Sequence, residues 1–536
     1  MEPLQHPPGP LEGELSDPSI QALLRGLSEN NSGLCVVTTR EAVPDIEHLS
    51  SPRLVDVRLD VLSDEAGAEL LKHYDVRGTD EELRQAVADY EGHSLSLILL
   101  GTYLRDRHGG DIAQRNRVVW TPDVDEAAMP ALSTDQLAKG TARFAKHARK
   151  VMASYVAWFE NEPEDDDLTE EDRDVNRAAV AILRLMGLFN RPADAGCLAA
   201  MRAEPPIPGL TDALFVGDRN EIWQQAIERL RSARLLADHD GNRMRERGSD
   251  DDGAKSRPLT GQVSIESLDA HPLIREHFDQ QLATDHKSAS KEAHRRLYEH
   301  LKQSAPERPD NLNDMMPLYH AVAHGCKAGL EQDALDGVYY ARVLRGNEFF
   351  SKRKLGTFGL DLATIALFFQ RVWTTPLAAL NEGDKSFVLS EATVGLRALA
   401  KLSDAVQPMR ATVEVSASIS AWENSAVDAS NLSDLSLTLG DVSSAVRQGE
   451  QSVELADRSG DAFQRMARRT TLAAALFCAG VTRWQGYRER PPGALALGLS
   501  DASVSGPARA AGEPVSRGAS ATGPARTAAD ASRLTA

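Results

Sequence analysis

Gly33-Leu34-Cys35-Val36-Val37-Thr38-Thr39-Arg40-Glu41 is the stretch on which the reading of the fold turns. Four apolar residues run together without alternation, with Asn30-Asn31-Ser32 before Gly33 and polar residues after. That pattern predicts a strand buried on both faces of a parallel sheet. Its C-terminal end would carry Thr38, Thr39 and Arg40, two hydroxyls and a permanent cation, where open α/β sheets place their ligands. On these residues alone, an ordinary core strand capped by a solvated arginine explains the run equally well.

Further along the chain come Val57-Arg58-Leu59-Asp60-Val61-Leu62-Ser63-Asp64-Glu65-Ala66, then Gly92-His93-Ser94-Leu95-Ser96-Leu97, then Ala270-His271-Pro272-Leu273-Ile274-Arg275. In this order the segments resemble motifs of the NB-ARC class of STAND nucleotide switches: the sensor strand, the following strand and helix start, the Gly-x-Pro-Leu motif and the Met-His-Asp motif in an Ala-His-Pro-Leu form. In that family the arginine after the threonines faces the terminal phosphate of ATP, and the motif histidine touches the second phosphate of ADP. The resemblance therefore implies nucleotide contacts at Thr38, Thr39, Arg40, Gly92, Ser94 and His271. Two departures stand out. Ser94 replaces the proline that packs on adenine, and Pro272 replaces the aspartate after the histidine. Read without the family, Gly92 is a helix C-cap and His271 a local hydrogen-bonding residue.

No Gly-x-x-x-x-Gly-Lys-Ser/Thr occurs in the chain, and Met1 falls where the resembled family has the end of its Walker B element. The phosphate loop supplies most of the grip on a triphosphate and the Walker B acid orients magnesium, so hydrolysis is not expected. The expectation is a fragment or mis-started form of a longer protein, truncated after the Walker B position, or else a natural remnant that keeps the shape without the reaction. ADP or ATP belongs to the full-length form. Catalytic residues and metal ligands are both read as none: there is no Gly-x-Ser-x-Gly elbow and no His-Glu-x-x-His pair. His294 with His300, and His320 with His324, share helix faces, but the second pair lacks the glutamate and third ligand that a zinc site needs.

The length of 536 residues predicts two to four domains, and the net charge of −19 argues against a general binder of nucleic acid or anionic membrane. Cys35, Cys197, Cys326 and Cys478 lie far apart and read as reduced core thiols, which points to the cytoplasm. No signal peptide is visible and no apolar run approaches the ~20 residues of a membrane span.

Taken in order, a Pro/Gly-rich opening leads to a helix begun by Asp17-Pro18, with Ile20, Leu23, Leu24 and Leu27 as its stripe. Ser63-Asp64-Glu65 opens a second, and Thr79-Asp80-Glu81-Glu82 is a capping box for a third. Residues 105–140 read as a connection, Phe144 to Phe159 as a long helix, and Glu160 to Asp174 as an acidic loop. Helices at Val180–Leu188 and Ile222–Leu230, with strands at Leu235-Leu236 and Gln262–Ile265, predict a winged helix. Paired helices then repeat, with Ala405 and Ala445 40 residues apart, somewhat longer than the ~34 of tetratricopeptide (TPR) repeats; an unspecialised helical bundle is the alternative. After Gly480 the periodicity stops in an Arg/Pro/Gly/Ala/Ser-rich tail, read as disordered and consistent with a shifted reading frame.

The fold class expected is multidomain and mainly α, with a partial α/β nucleotide-binding module. The expected layout is the remnant of the α/β domain at 1–60, a helical subdomain and linker at 61–140, a winged helix at 141–285, TPR-like repeats at 286–482 and the tail at 483–536. The leading function is a signal-transducing switch fragment that binds a protein partner through its repeats, not catalytic by itself, with oligomerisation in a complete switch. The rivals are a nucleotide-binding ATPase module and a winged-helix DNA-binding regulator.

Overall fold

The computed structural model describes residues 14–15, 18–37, 39, 43–47, 55, 61–118, 141–160, 169–238 and 267–480. These are mainly helical, and the described residues hold one two-stranded sheet, Phe369–Arg371 paired antiparallel with Thr375–Pro376. The chain divides into two compact units, Leu54–Ser304 with Lys327–Gly329, and Met1–Arg53 with Ala305–Cys326 and Leu330–Ala536. The boundaries expected at 140 and 285 lie inside the first unit. The tail at 483–536 lies outside the described residues, as does the expected strand Gln262–Ile265.

Backbone from Leu34 to Val37 is neither strand nor helix, and Leu34, Val36 and Val37 are 89%, 73% and 39% exposed. The buried strand expected here is not formed. A strand of a parallel sheet is held by ladder bonds to its neighbours, and among the described residues no partner strand lies beside this run. The α/β module expected at 1–60 accordingly has no sheet among the described residues. Cys35 is exposed too, as is Cys478, which corrects the reading of all four cysteines as core thiols; Cys197 is buried and Cys326 half-buried.

The first unit begins with three helices whose starts follow local sequence. Ser63 caps Asp64–His73 by accepting from Ala66 N, and Thr79 and Glu82 close the predicted capping box on Asp80–Asp89. His93 caps Ser94–His108, its Nδ1 accepting from Ser96 N at 3.3 Å. Helix Thr141–Glu160 packs on Ser94–His108. At their contact the Tyr155 hydroxyl, pressed towards its neutral form by burial, donates to Thr102 Oγ1 at 2.9 Å. Tyr103, Tyr155 and Trp158 stack edge-on or tilted around that bond.

Of the expected acidic loop, residues 161–168 lie outside the described residues, and Glu170 to Asp174 are helical. Glu170–Met186 starts with a second capping box, Thr169 with Asp172, so Glu170, Glu171 and Asp172 complement the positive helix end instead of lying in a loop. Pro272–Asp285 crosses this helix closely: a Cβ on Gly187 would stand 2.5 Å from the backbone of Phe278. Between the two come Ala195–Met201 and Arg219–Ser232. Ala193 bridges Leu268 antiparallel, and Ala237 N donates to Asp269 O at 2.8 Å. Leu235 and Leu236, expected as a strand, close the C-terminal turn of Arg219–Ser232 by bonding back to Leu230 O. The reason is local, since Arg234 takes a left-handed φ of 60° and turns the chain there.

The second unit carries the repeats. Glu382–Ala398, Leu402–Ser418, Trp422–Thr438, Val442–Ser459 and Ala462–Cys478 follow one another, each packed on the next. Each helix ends in a turn with one left-handed residue, at Ala400, Ser420, Gly440, Gly460 and Gly480, a spacing of 20 residues. Two such steps make the 40-residue interval seen in the sequence. Small residues let the helices approach: Ser425 Oγ donates to Val413 O at 2.9 Å, Ser433 Oγ to Ala445 O at 2.7 Å and Ser452 Oγ to Ala426 O at 2.9 Å. These hydroxyls are buried, so each bond also removes the cost of an unpaired polar group.

Candidate functional site

The six positions singled out for nucleotide contact fall at ordinary structural posts where they are described. Thr38 and Arg40 lie outside the described residues, and Thr39 is exposed. Gly92 has φ +65° and donates to Val87 O at 2.9 Å, closing the turn after Asp80–Asp89. It is also a close approach, because a Cβ there would stand 2.4 Å from Leu62 O. Ser94 is the first residue of its helix, and His271 caps Pro272–Asp285 by accepting from Leu273 N at 3.3 Å. Gly92 and Ser94 share one turn, and His271 stands at the start of a different helix, Pro272–Asp285.

A shallow cleft of about 550 Å³ in the same unit is lined by Lys72, Asp75, Val76, Arg77, Arg105 and Gly109. Three cations make it a place to look for a phosphate. Each is already engaged. Lys72 lies 2.9 Å from Glu69 and 3.0 Å from Asp80, Arg105 lies 2.6 Å from Asp106, and Arg77 donates to the Gly109 carbonyl. None of the six sequence-derived positions lines it.

The second unit holds a buried polar cluster that no local pattern of residues signals. Lys352 pairs with Glu391, their side chains 1% and 0% exposed, and Tyr339 donates to the same carboxylate at 3.4 Å. Beside them Asp361 accepts from Ser351 at 2.9 Å and from Tyr319 at 3.2 Å. Burial pushes Asp361 up to about 6, with the Lys352 charge and the Ser351 hydroxyl opposing it. These groups come from Leu312–Ala328, Ala334–Leu344, Phe350–Arg353, Phe358–Ala366 and Glu382–Ala398. Enclosed on all sides, they hold helices together and offer no surface to a substrate.

One trio of metal-ligating type occurs among the described residues. Asp194, Cys197 and His300 bring one donor atom each within 4.8 Å of one another. More than a hundred residues separate Asp194 from His300, so no local pattern could have joined them.

No family model matches the chain, and no curated protein does. Among solved structures the chain is similar to a Signal Transduction ATPase with Numerous Domains (STAND) protein with a tetratricopeptide repeat sensor from Pyrococcus horikoshii, at 13% identity and a TM-score of 0.26, over 79% of this chain and 52% of that one. The chain thus spans about half the length of that structure, and a TM-score this low carries no assignment. No described helix is long and apolar enough to cross a membrane.

Proposed function

We propose that this chain is a non-catalytic, signal-transducing protein of STAND, NB-ARC-like type whose helical repeats bind a protein partner in the cytoplasm. The observation that carries the reading is the 20-residue alternation of helix and left-handed turn from Glu382 to Cys478. Helix pairs of this kind cannot bury their apolar faces singly, and stacked pairs present a continuous binding surface. Helix Trp422–Thr438 also reaches Ala462–Cys478, two helices on: Ser430 Oγ donates to Thr471 Oγ1 at 2.9 Å. Such stacking favours a solenoid over an unspecialised bundle.

Phe463, Met466 and Phe477 are 65%, 55% and 76% exposed on the last described helix, at spacings that put them on one face. A partner captured by the wild-type chain and lost by Phe463→Asp with Phe477→Asp, at unchanged helicity, supports the reading; indifference of every captured protein to this change overturns it. The nucleotide half of the proposal, contacts to ADP or ATP at Thr38, Thr39, Arg40, Gly92, Ser94 and His271, rests on motif order. It gates partner binding and oligomerisation in a longer form. Calorimetric titration of this chain with ADP separates the proposal from a nucleotide-holding ATPase module: no heat at high micromolar ADP is expected here, and heat of binding that disappears in His271→Ala favours the module.

A second reading has one observation behind it. The order helix, Ala193 bridge, helix, helix, with Leu268 and Asp269 returning beside Ala193 and Ala237, is the order of a winged helix. The helix in the recognition position, Arg219–Ser232, carries Arg219, Arg229 and Arg231 against Glu221 and Glu228. That near-balance of charge gives little attraction for phosphates, so DNA binding ranks second.

A further inference from the structure

We infer that Asp194, Cys197 and His300 form a binding site for a divalent transition metal of the zinc class, with one coordination position left open to solvent. Independently of the proposed signalling role, the argument starts from the donor set. Thiolate, imidazole and carboxylate together are the ligands of borderline-soft cations, and calcium or magnesium would take oxygen alone. Three donor atoms within 4.8 Å of one another are near enough for side-chain rotation to bring them onto one ion.

The surroundings fix two of these side chains. Asp194 caps Ala195–Met201, its Oδ1 accepting from Cys197 N at 2.8 Å, so its carboxylate and the Cys197 side chain are held at the same helix start. His300 comes from Lys287–Ser304, which packs on that short helix. Gly196 lies between them, and a Cβ there would stand 3.0 Å from His300 Nε2, tighter than ordinary contact. The absence of a side chain is what admits the imidazole so close.

Cys197 is fully buried whereas Asp194 and His300 are half-buried, so the site has an apolar floor at sulfur and an entry at nitrogen and oxygen. Three protein ligands with the fourth position facing water is the arrangement of sites that keep an exchangeable ligand. One cation opposes the ion: Arg191 Nη2 lies 3.6 Å from Asp194 Oδ2, on a side chain 40% exposed.

Without metal the thiol is protonated, held up by burial and by the Asp194 carboxylate beside it. Binding therefore exchanges ions in balance: the sulfur–hydrogen bond breaks, a sulfur–metal bond forms and one proton leaves to solvent for each metal taken up.

The test is cobalt(II) titration of the reduced, chelator-treated full chain, read by the near-ultraviolet sulfur-to-cobalt charge-transfer band, followed by displacement with zinc. Expected is a band that saturates at one equivalent, is lost in Cys197→Ser, weakens at least about tenfold in affinity in His300→Ala and persists in Cys35→Ser with Cys478→Ser. If Cys197→Ser does not fold, His300→Ala decides, because that ring is half-exposed. No band in the wild type overturns the inference. A band that disappears with the two exposed cysteines and survives His300→Ala overturns it equally.

Discussion

Lys352 and Glu391 face each other inside the second unit, and Glu391 Oε1 finds no hydrogen-bond partner there. Removing one member of such a pair strands the other charge in a low dielectric, at a cost of about 3–5 kcal/mol, whereas removing both is much less harmful. Lys352→Met is therefore expected to lower the denaturation midpoint strongly, and Lys352→Met with Glu391→Gln to recover most of the loss. Equal losses from the single and the double variant would show that the pair does not act as a unit.

Asp428 gives a second test on the scale of one residue. Burial pushes it up to about 7 from an ordinary value of 3.8, with the Ser416 hydroxyl only partly opposing. The folded chain holds a proton at Asp428 that the unfolded chain has released, so between about pH 4 and 7 the native state binds more protons. Stability then falls as pH rises through that window. Asp428→Asn is expected to remove this slope and to be more stable than wild type at pH 8, by thermal melting across pH.

Among elements, the 20-residue turns differ in quality. Gly440 and Gly460 take the left-handed position and Asp441 and Asp461 then cap the next helix, accepting from Ser444 N and Gln464 N. At the two earlier turns the same places hold Ala400 with Lys401 and Ser420 with Ala421, which make no side-chain cap. Residues with a Cβ are strained at positive φ, and an uncapped helix start leaves donors unpaired. Ser420→Gly with Ala421→Asp is expected to stabilise by about 1–2 kcal/mol, read in urea unfolding. Gly440→Ala should cost about 1 kcal/mol, and since no atom lies within 4 Å of the added Cβ that loss would measure backbone strain alone. The Thr79–Glu82 capping box is legible in the sequence because its residues lie within one turn of each other, and the 40-residue spacing because a recurring pattern can be read along the chain without knowing any contact. The Leu34–Val37 run was misread for the opposite reason. An apolar run states a preference for burial, and only a neighbouring strand can satisfy it.

At the scale of the whole chain, a net charge of −19 sets the expectation for nucleic acid. Fluorescence anisotropy with a short duplex should register no binding at physiological salt, and steeply salt-dependent binding would promote the winged-helix reading over the scaffold. Six positions came from motif order, and four of those, Thr39, Gly92, Ser94 and His271, are described; three of the four are helix-terminal posts. Motif order carries no distance, so it could not say whether they meet.

By itself the sequence determined the helix starts, the repeat interval and the acidic balance, since caps, periodicity and charge are written within a few residues or in simple sums. Tertiary structure alone decided which residues share a site. Asp194 and Cys197 meet His300, and Lys352 meets Glu391, across stretches of chain whose folding no local preference encodes. Such contacts are fixed by the packing of whole helices, where the free energy of burial chooses among pairings that the local sequence leaves equal.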